Sequence, residues 1–243
     1  MNSDFNGIWV YLSASPLVGL TLTLIAYILA HRIYSKTKQH PLLNPVAVAI
    51  VIIILVLLVT NTSYETYFEG AQFVHFLLGP ATVALAIPLY QQCQKLRQIW
   101  LPLSLSLFVG VSVASLSAIG IAHLLGASTS TILSLAPKSV TAPVAMGIAE
   151  NIGGLPALTA VLVVITGILG AIIGTRLFSL LRIQDDSVKG VAMGVTSHGI
   201  GTARAFQVSQ EMGAFSGLAM ALAAFLTSVT LPWFISLLNL GNF

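Results

Sequence analysis

Eight apolar runs, at about 8–31, 42–60, 71–90, 99–125, 130–149, 155–182, 189–207 and 213–239, take up most of this chain. Each approaches the ~20 residues that a helix needs to cross the hydrocarbon core of a bilayer. Runs so long and so many cannot be hidden in a water-soluble core. Composition excludes a soluble surface as well: 7% of residues are charged and 56% hydrophobic, with a mean hydropathy of +0.95. A soluble domain carries charge on roughly a quarter of its residues. The chain reads as a single all-α, polytopic membrane domain over residues 1–243, with seven to eight transmembrane segments and the lipid bilayer as its solvent.

The formal charge is +3, yet the basic residues are scattered in short loops rather than gathered on one face, which argues against nucleic acid as a partner. They report topology instead. Arg32, Lys36 and Lys38 follow the first run and Lys95 and Arg97 the third, so both loops are expected in the cytoplasm of a bacterial inner membrane. The loop between them holds Glu65 and Glu69 without Lys or Arg, as an outside loop should, and the N-terminus is placed outside too. If every later run crossed, the loop from Arg182 to Lys189 would fall outside. One re-entrant segment removes that conflict, and 130–149 is the best candidate. The opening Met1-Asn2-Ser3-Asp4 lacks the positive region of a secretory signal, so no cleaved leader is expected. Cys93 is the single cysteine, which excludes an internal disulfide and a multi-cysteine metal site.

Three runs are poor continuous helices: 71–90 holds Gly79-Pro80 and Pro88, 130–149 holds Pro137-Lys138 and Pro143, and 189–207 holds Ser197-His198-Gly199-Ile200-Gly201. Proline removes a backbone donor and glycine relaxes the chain, so these segments should break or re-enter. Unwound backbone inside a bilayer must line a protein-enclosed cavity, which points to a binding site. Leu78-Gly79-Pro80-Ala81-Thr82-Val83 also parallels Leu135-Ala136-Pro137-Lys138-Ser139-Val140 at an offset of 57 residues (137 − 80). Paired, proline-interrupted segments of this kind mark binding sites in transporters.

The chemistry gathers in two of the broken runs. Lys138 lies near the centre of an apolar segment, where a basic side chain costs about 2.5–3.5 kcal/mol on insertion scales. Flanked by the Ser139 and Thr141 hydroxyls and by freed backbone N–H groups, it suits a carboxylate. The alternative is a lysine that snorkels from a short re-entrant tip or pairs with Glu150. In the second run Arg204 can grip a carboxylate bidentately, His198 can exchange a proton near neutral pH, Ser197 and Thr202 offer hydroxyls, and Gly199 and Gly201 permit close backbone approach. Against this stand an interior histidine held by a hydrogen bond and an arginine that snorkels. Glu150 and Asn151, with His198, are candidates for a coupling proton; Glu150 and Asn151 equally suit the membrane surface. The pairs Gly170/Gly174, Gly190/Gly194 and Gly213/Gly217 have the spacing of close helix packing, within the chain by default and between copies in a homo-oligomer as the less favoured reading. An enzyme is not expected. Ser197 and His198 are neighbours that cannot face each other as nucleophile and base, and no nucleotide-binding, cofactor or metal-ligand motif is present.

Leu135-Ala-Pro-Lys-Ser-Val-Thr-Ala-Pro-Val-Ala-Met-Gly-Ile-Ala-Glu150, with Asn151-Ile-Gly-Gly154 and Leu158-Thr-Ala160 after it, resembles the signature of the LrgB/CidB family. Thr196-Ser-His-Gly-Ile-Gly-Thr-Ala-Arg-Ala205 is similar to the family's second signature. The resemblance covers nearly the whole chain and implies two competing functions. One is holin-like or antiholin-like control of murein hydrolase export and lysis, beside a smaller four-helix LrgA/CidA partner. The other follows the plastid relatives, which translocate glycolate and glycerate, and bacterial relatives associated with pyruvate uptake. The polar groups gather in interrupted segments rather than along one amphipathic face, so the expectation is a secondary transporter of small monocarboxylates, with lysis regulation as the alternative. The first helices, about 1–62, are expected to form a scaffold against which the motif-bearing bundle, about 63–243, moves in an elevator-like or rocking manner.

Overall fold

The structure is a computed structural model describing residues 16–37, 43–77, 80, 83–84 and 86–238. All regular structure among them is helical. The chain forms two compact units, Met1–Ala84 and Leu85–Phe243. The Gly79-centred half of the proposed internal match lies largely outside the described residues.

In the first unit α1 (Pro16–Lys36), α2 (Pro45–Thr60) and α3 (Tyr64–Phe76) follow in order. Asn44 starts α2 by accepting hydrogen bonds from the Val46 and Ala47 amides, with Pro45 at the first helical position, and Asn61 ends it in a left-handed conformation. Gly19 of α1 sits directly on the Tyr67 carbonyl of α3, where a side chain would clash, and Thr23 meets the Tyr67 hydroxyl at 2.8 Å.

The second unit holds α4 (Ala86–Gln91), α5 (Cys93–Leu124), α6 (Thr129–Leu135), α7 (Ala142–Ile152), α8 (Pro156–Leu180), α9 (Asp186–Val208) and α10 (Gln210–Leu237). Among the described residues four helices are long and apolar enough to cross a membrane: Leu17–Lys36, Cys93–Leu124, Pro156–Leu180 and Gln210–Leu237. Pro45–Thr60 is apolar but shorter. The count falls below the seven to eight expected segments partly because 130–149 and 189–207 do not run straight. Both fold back.

The first fold-back is built from α6, a turn at 136–141 and α7. After α7 the chain returns to the end of α6: Gly154 packs on the backbone of Leu133 and Ser134, the Leu155 amide donates to Ser134 Oγ at 2.7 Å, and Thr159 Oγ1 donates to the Ser134 carbonyl at 2.9 Å. The second is α9 itself. A straight helix of its 23 residues would span about 34 Å, yet Ser209 Oγ, just past its end, donates to Asp186 Oδ2 at its start, 2.7 Å away. His198 makes the reversal, with φ 40° and ψ −134° inside the helix. Gly201 on the returning leg lies against Met193 on the outgoing one.

The base of the first hairpin touches the start of α8 at Leu155 and Thr159. The base of the second meets its other end, where Phe178 clusters with Met193, Ala205 and Met212. Those ends are some 20 residues apart, roughly 30 Å, the thickness of the hydrocarbon core. The two hairpins are therefore rooted at opposite ends of α8. The plan of hairpin plus long helix also repeats: α6 to the end of α8 spans 129–180 and α9 to the end of α10 spans 186–237, both at an offset of 57 (186 − 129 and 237 − 180).

The fold-back of α9 has a direct test. With Cys93→Ser as background, Asp186→Cys together with Ser209→Cys should form an intramolecular disulfide on mild oxidation, seen in the proteolytic peptides. A straight α9 would hold those positions too far apart to join.

Candidate functional site

The middle of α8 carries a notch. A side chain on Gly170 would overlap Ser197 Oγ, and a Cβ on Gly167 would lie 2.6 Å from the His198 imidazole. The tip of the second hairpin is thus seated on bare helix backbone. His198 is 4% exposed and its Nε2 lies 2.9 Å from the Val163 carbonyl. A positive φ on a non-glycine residue costs on the order of 1–3 kcal/mol and persists only where the surroundings over-determine it. Thr202 supplies part of that constraint, donating to the His198 carbonyl at 2.8 Å and meeting Ser216 Oγ of α10 at 2.9 Å. Ser197 is fully buried, Gly201 is buried beside it and Gly199 is exposed at the turn.

At the first tip, the turns after α6 are closed by the Lys138 amide on the Leu135 carbonyl at 3.1 Å and the Val140 amide on the Pro137 carbonyl at 3.2 Å. Thr141 adopts an extended conformation as N-cap of α7 and makes no side-chain cap bond. Lys138 Nζ reaches Ser139 Oγ at 3.2 Å, and among the described residues no carboxylate forms an ion pair with it. Glu150 and Asn151 are exposed at the far end of α7, about 15 Å along the helix from the tip.

The two hairpins meet at a narrow crevice. Pro137, Ser139 and Val140 of the first tip form one side and Val195, beside the second tip, another, with Ser115 of α5 and Thr227 of α10 completing the wall. It is too tight to hold a water-sized sphere. Lys138 is within electrostatic reach of His198. Beyond the crevice an open, mainly apolar groove of about 600 Å³ runs between α5 and α9 from Lys95 and Asp185 to Thr196, and Ala114 and Val195 belong to both spaces.

The structure thus places Lys138, Ser139 and Thr141 on the turn of the first hairpin and Ser197, His198, Gly199, Gly201 and Thr202 at the reversal of the second; of these Ser139 lines the crevice between them. It does not bring Arg204 there. Six residues beyond His198, or about 9 Å along the returning leg, Arg204 points into a separate recess shared with Lys189. Sequence reasoning missed Ser115 and Thr227, hydroxyls in long apolar helices with no nearby glycine, proline or charge to single them out. The small-residue pairs act within the chain: Gly170 receives Ser197, Gly174 the Met193 side chain, Gly190 the Met212 carbonyl and Gly194 the Ser216 carbonyl.

The end of the unit carrying the second hairpin's base is fastened by charge. Lys95 Nζ bonds Asp185 at 3.1 Å and Glu211 at 2.6 Å, and Lys189 bonds Asp186 at 2.7 Å. Asp185 caps α9 through the Ser187 and Val188 amides. The Ser187 hydroxyl above all, then Lys95 and those amides, hold its carboxyl well below the usual carboxylate range despite partial desolvation. The same bonds place the loop before α5 and the loop before α9 at one end of the bundle. The fold-back of the first hairpin accounts for this, since it leaves α5 and α8 as the two long helices between those loops.

The LrgB-like family profile matches residues 23–237. The chain is 37% identical over 220 residues to the uncharacterized protein YwbG of Bacillus subtilis, covering 90% of this chain and 97% of that protein. It is 34% identical over 213 residues to the holin-like protein CidB of Staphylococcus epidermidis, 88% and 93% of the two chains. With the antiholin-like protein LrgB of Bacillus cereus the identity is 30% over 220 residues, 90% and 96%. No solved structure matches the chain.

The Asp185 cluster sets an acid limit on stability. A carboxyl whose folded pKa is depressed stabilises the fold fully above its unfolded value, near ~4, and loses that contribution as pH falls through the folded value. The melting temperature should therefore hold on acidification to about pH 5 and fall progressively below it. Asp185→Asn should melt lower near neutrality and show a shallower acid limb. An unchanged acid limb in the variant would remove Asp185 from this role.

Proposed function

Because the chain belongs to the LrgB-like family, we propose that it controls the passage of small solutes across the bacterial inner membrane, in the holin- or antiholin-like role for which its relatives are named. Those names support lysis-related control, with an LrgA/CidA-type membrane protein as partner, more directly than they support a dedicated carrier. The geometry adds how such control would be exerted. Its molecular act is the movement of small monocarboxylates of the glycolate, glycerate, lactate and pyruvate class through the space between the hairpin tips.

One observation carries the finer reading: two helical hairpins rooted at opposite ends of α8 meet across a crevice, and the first carries a lysine with which no carboxylate forms an ion pair among the described residues. An ammonium held partly out of water without a counter-ion is costly. A carboxylate would remove that cost, helped by the Ser139 and Thr141 hydroxyls, while a neutral solute would not. His198 would take or release a proton, with Glu150 and Asn151 acting at the membrane surface. The crevice is too narrow for an anion as it stands, so one hairpin must withdraw to admit it from its own side. Repeated hairpin–helix units of opposite approach would let either hairpin do so, which is alternating access. The groove from Lys95 to Thr196 is the approach from the basic, cytoplasmic end. In this reading residues of about 1–62 act as scaffold and the remainder as the moving bundle in an elevator-like or rocking cycle; no enzymatic step is involved.

Purified protein in liposomes should take up labelled lactate, glycolate or pyruvate with saturation while retaining a large anionic dye. Lys138→Ala should cut uptake at least about tenfold, the loss of ~1.4 kcal/mol of anion binding, with insertion and monodispersity intact. Dye release as fast as carboxylate uptake would sink the carrier and leave a holin-like pore. Adding the four-helix partner then tests whether it opens or closes the path.

A further inference from the structure

Arg204 stands outside the tips, and its surroundings form a site of their own. The two legs of the second hairpin each contribute a cation, Lys189 from the outgoing leg and Arg204 from the returning one, to a recess of about 260 Å³ at the hairpin's base. Thr175 and Ser179 of α8 and Gln184 of the following loop add polar groups to its wall, and Phe178 and Met212 its apolar floor. Both cations already have local partners: Lys189 bonds Asp186 at 2.7 Å and Arg204 donates to Gln207 at 2.9 Å. The recess thus combines the Lys189–Asp186 ion pair with the Arg204 guanidinium. The helix-end carbonyls of Phe178 and Ser179, which would repel an anion, already accept the Ile183 and Arg182 amides.

The recess opens where a bilayer changes from hydrocarbon to headgroup. Leu177, Leu180 and Leu181 beside it are 44%, 78% and 60% exposed, Val208 at its rim is exposed, and Arg176 and Arg182 lie exposed at the same end of α8. Two cations, hydroxyls and an amide within an apolar collar match a phosphate that carries acyl chains.

We infer that this recess is a binding site for the phosphate headgroup of an anionic membrane lipid, held between Lys189 and Arg204 with its acyl chains along the outer face of α8. The lipid bridges the two legs of the second hairpin, so it braces the mobile element at its root. The site does not depend on what passes between the tips.

Native mass spectrometry of the detergent-purified full chain, offered phosphatidylglycerol or phosphatidylcholine, reads this directly. The wild type should retain phosphatidylglycerol over phosphatidylcholine by about tenfold or more, roughly one good charge-assisted contact. Arg204→Gln with Lys189→Gln should abolish that preference. Should the double variant fail to fold, Ser179→Glu puts a repelling charge on the exposed wall without removing a structural partner, and should reduce retention alike. The preference should survive excess inorganic phosphate; displacement by phosphate alone would assign a free anion and overturn the lipid. Equal retention of both lipids, or phosphatidylglycerol binding unchanged in the variants, would also overturn it. Carboxylate uptake in liposomes of phosphatidylcholine alone is read separately, so failure of the lipid site and failure of transport can be told apart.

Discussion

A bilayer offers no water to an opened backbone, so a helix may break within it only where protein covers the break. The rest of the second unit depends on how that is done for α9. Gly167 and Gly170 strip α8 down to backbone at its midpoint, and into that notch fit the His198 ring and the Ser197 hydroxyl. Val163 gives its carbonyl to His198, and Thr202 and Ser216 hold the returning leg. With a bulkier residue at either glycine, the reversal would lose its seat and the strained φ of His198 its compensation.

The first hairpin is held by other means and for a matching purpose. Ser134 fastens its base to the beginning of α8 through two hydrogen bonds, which leaves the turn from Pro137 to Thr141 to project toward the tip of its counterpart. Lys138 sits on that turn with a serine for company. In the function proposed above, recognition of an anion is the reason for a lysine there. Under the proposed function the holin- and antiholin-like names of the relatives and the paired hairpins would meet in this feature, since a guarded path for anions is a means of changing what crosses a membrane without a wide hole.

Much of this was legible in the sequence because hydropathy reads length well. The runs 99–125, 155–182 and 213–239 correspond to α5, α8 and α10, and Pro137-Lys138 and Ser197-His198-Gly199 mark where the two hairpins turn. The direction after each break was not legible, since an apolar run has the same composition whether it goes on or folds back. That is why 189–207 read as an interrupted crossing, and why Arg204 read as a neighbour of His198 when helical rise carries it to the hairpin's base. The offset of 57 residues was visible between 78–83 and 135–140, while the copy that the described residues display at that offset is 129–180 against 186–237. Ser115 and Thr227 were invisible, because a single hydroxyl in an apolar helix has no local signature; only the packing of four elements around the crevice selects them.

The central claim is that the two tips form one anion site reached from each side in turn. A single cysteine at Ser139→Cys, in the Cys93→Ser background and in vesicles of known orientation, tests it through labelling by a membrane-impermeant maleimide. Labelling from either side, slowed from both sides by lactate or glycolate but not by a neutral analogue, is the predicted result. Labelling from one side only, or at a rate that carboxylates leave unchanged, would contradict the account.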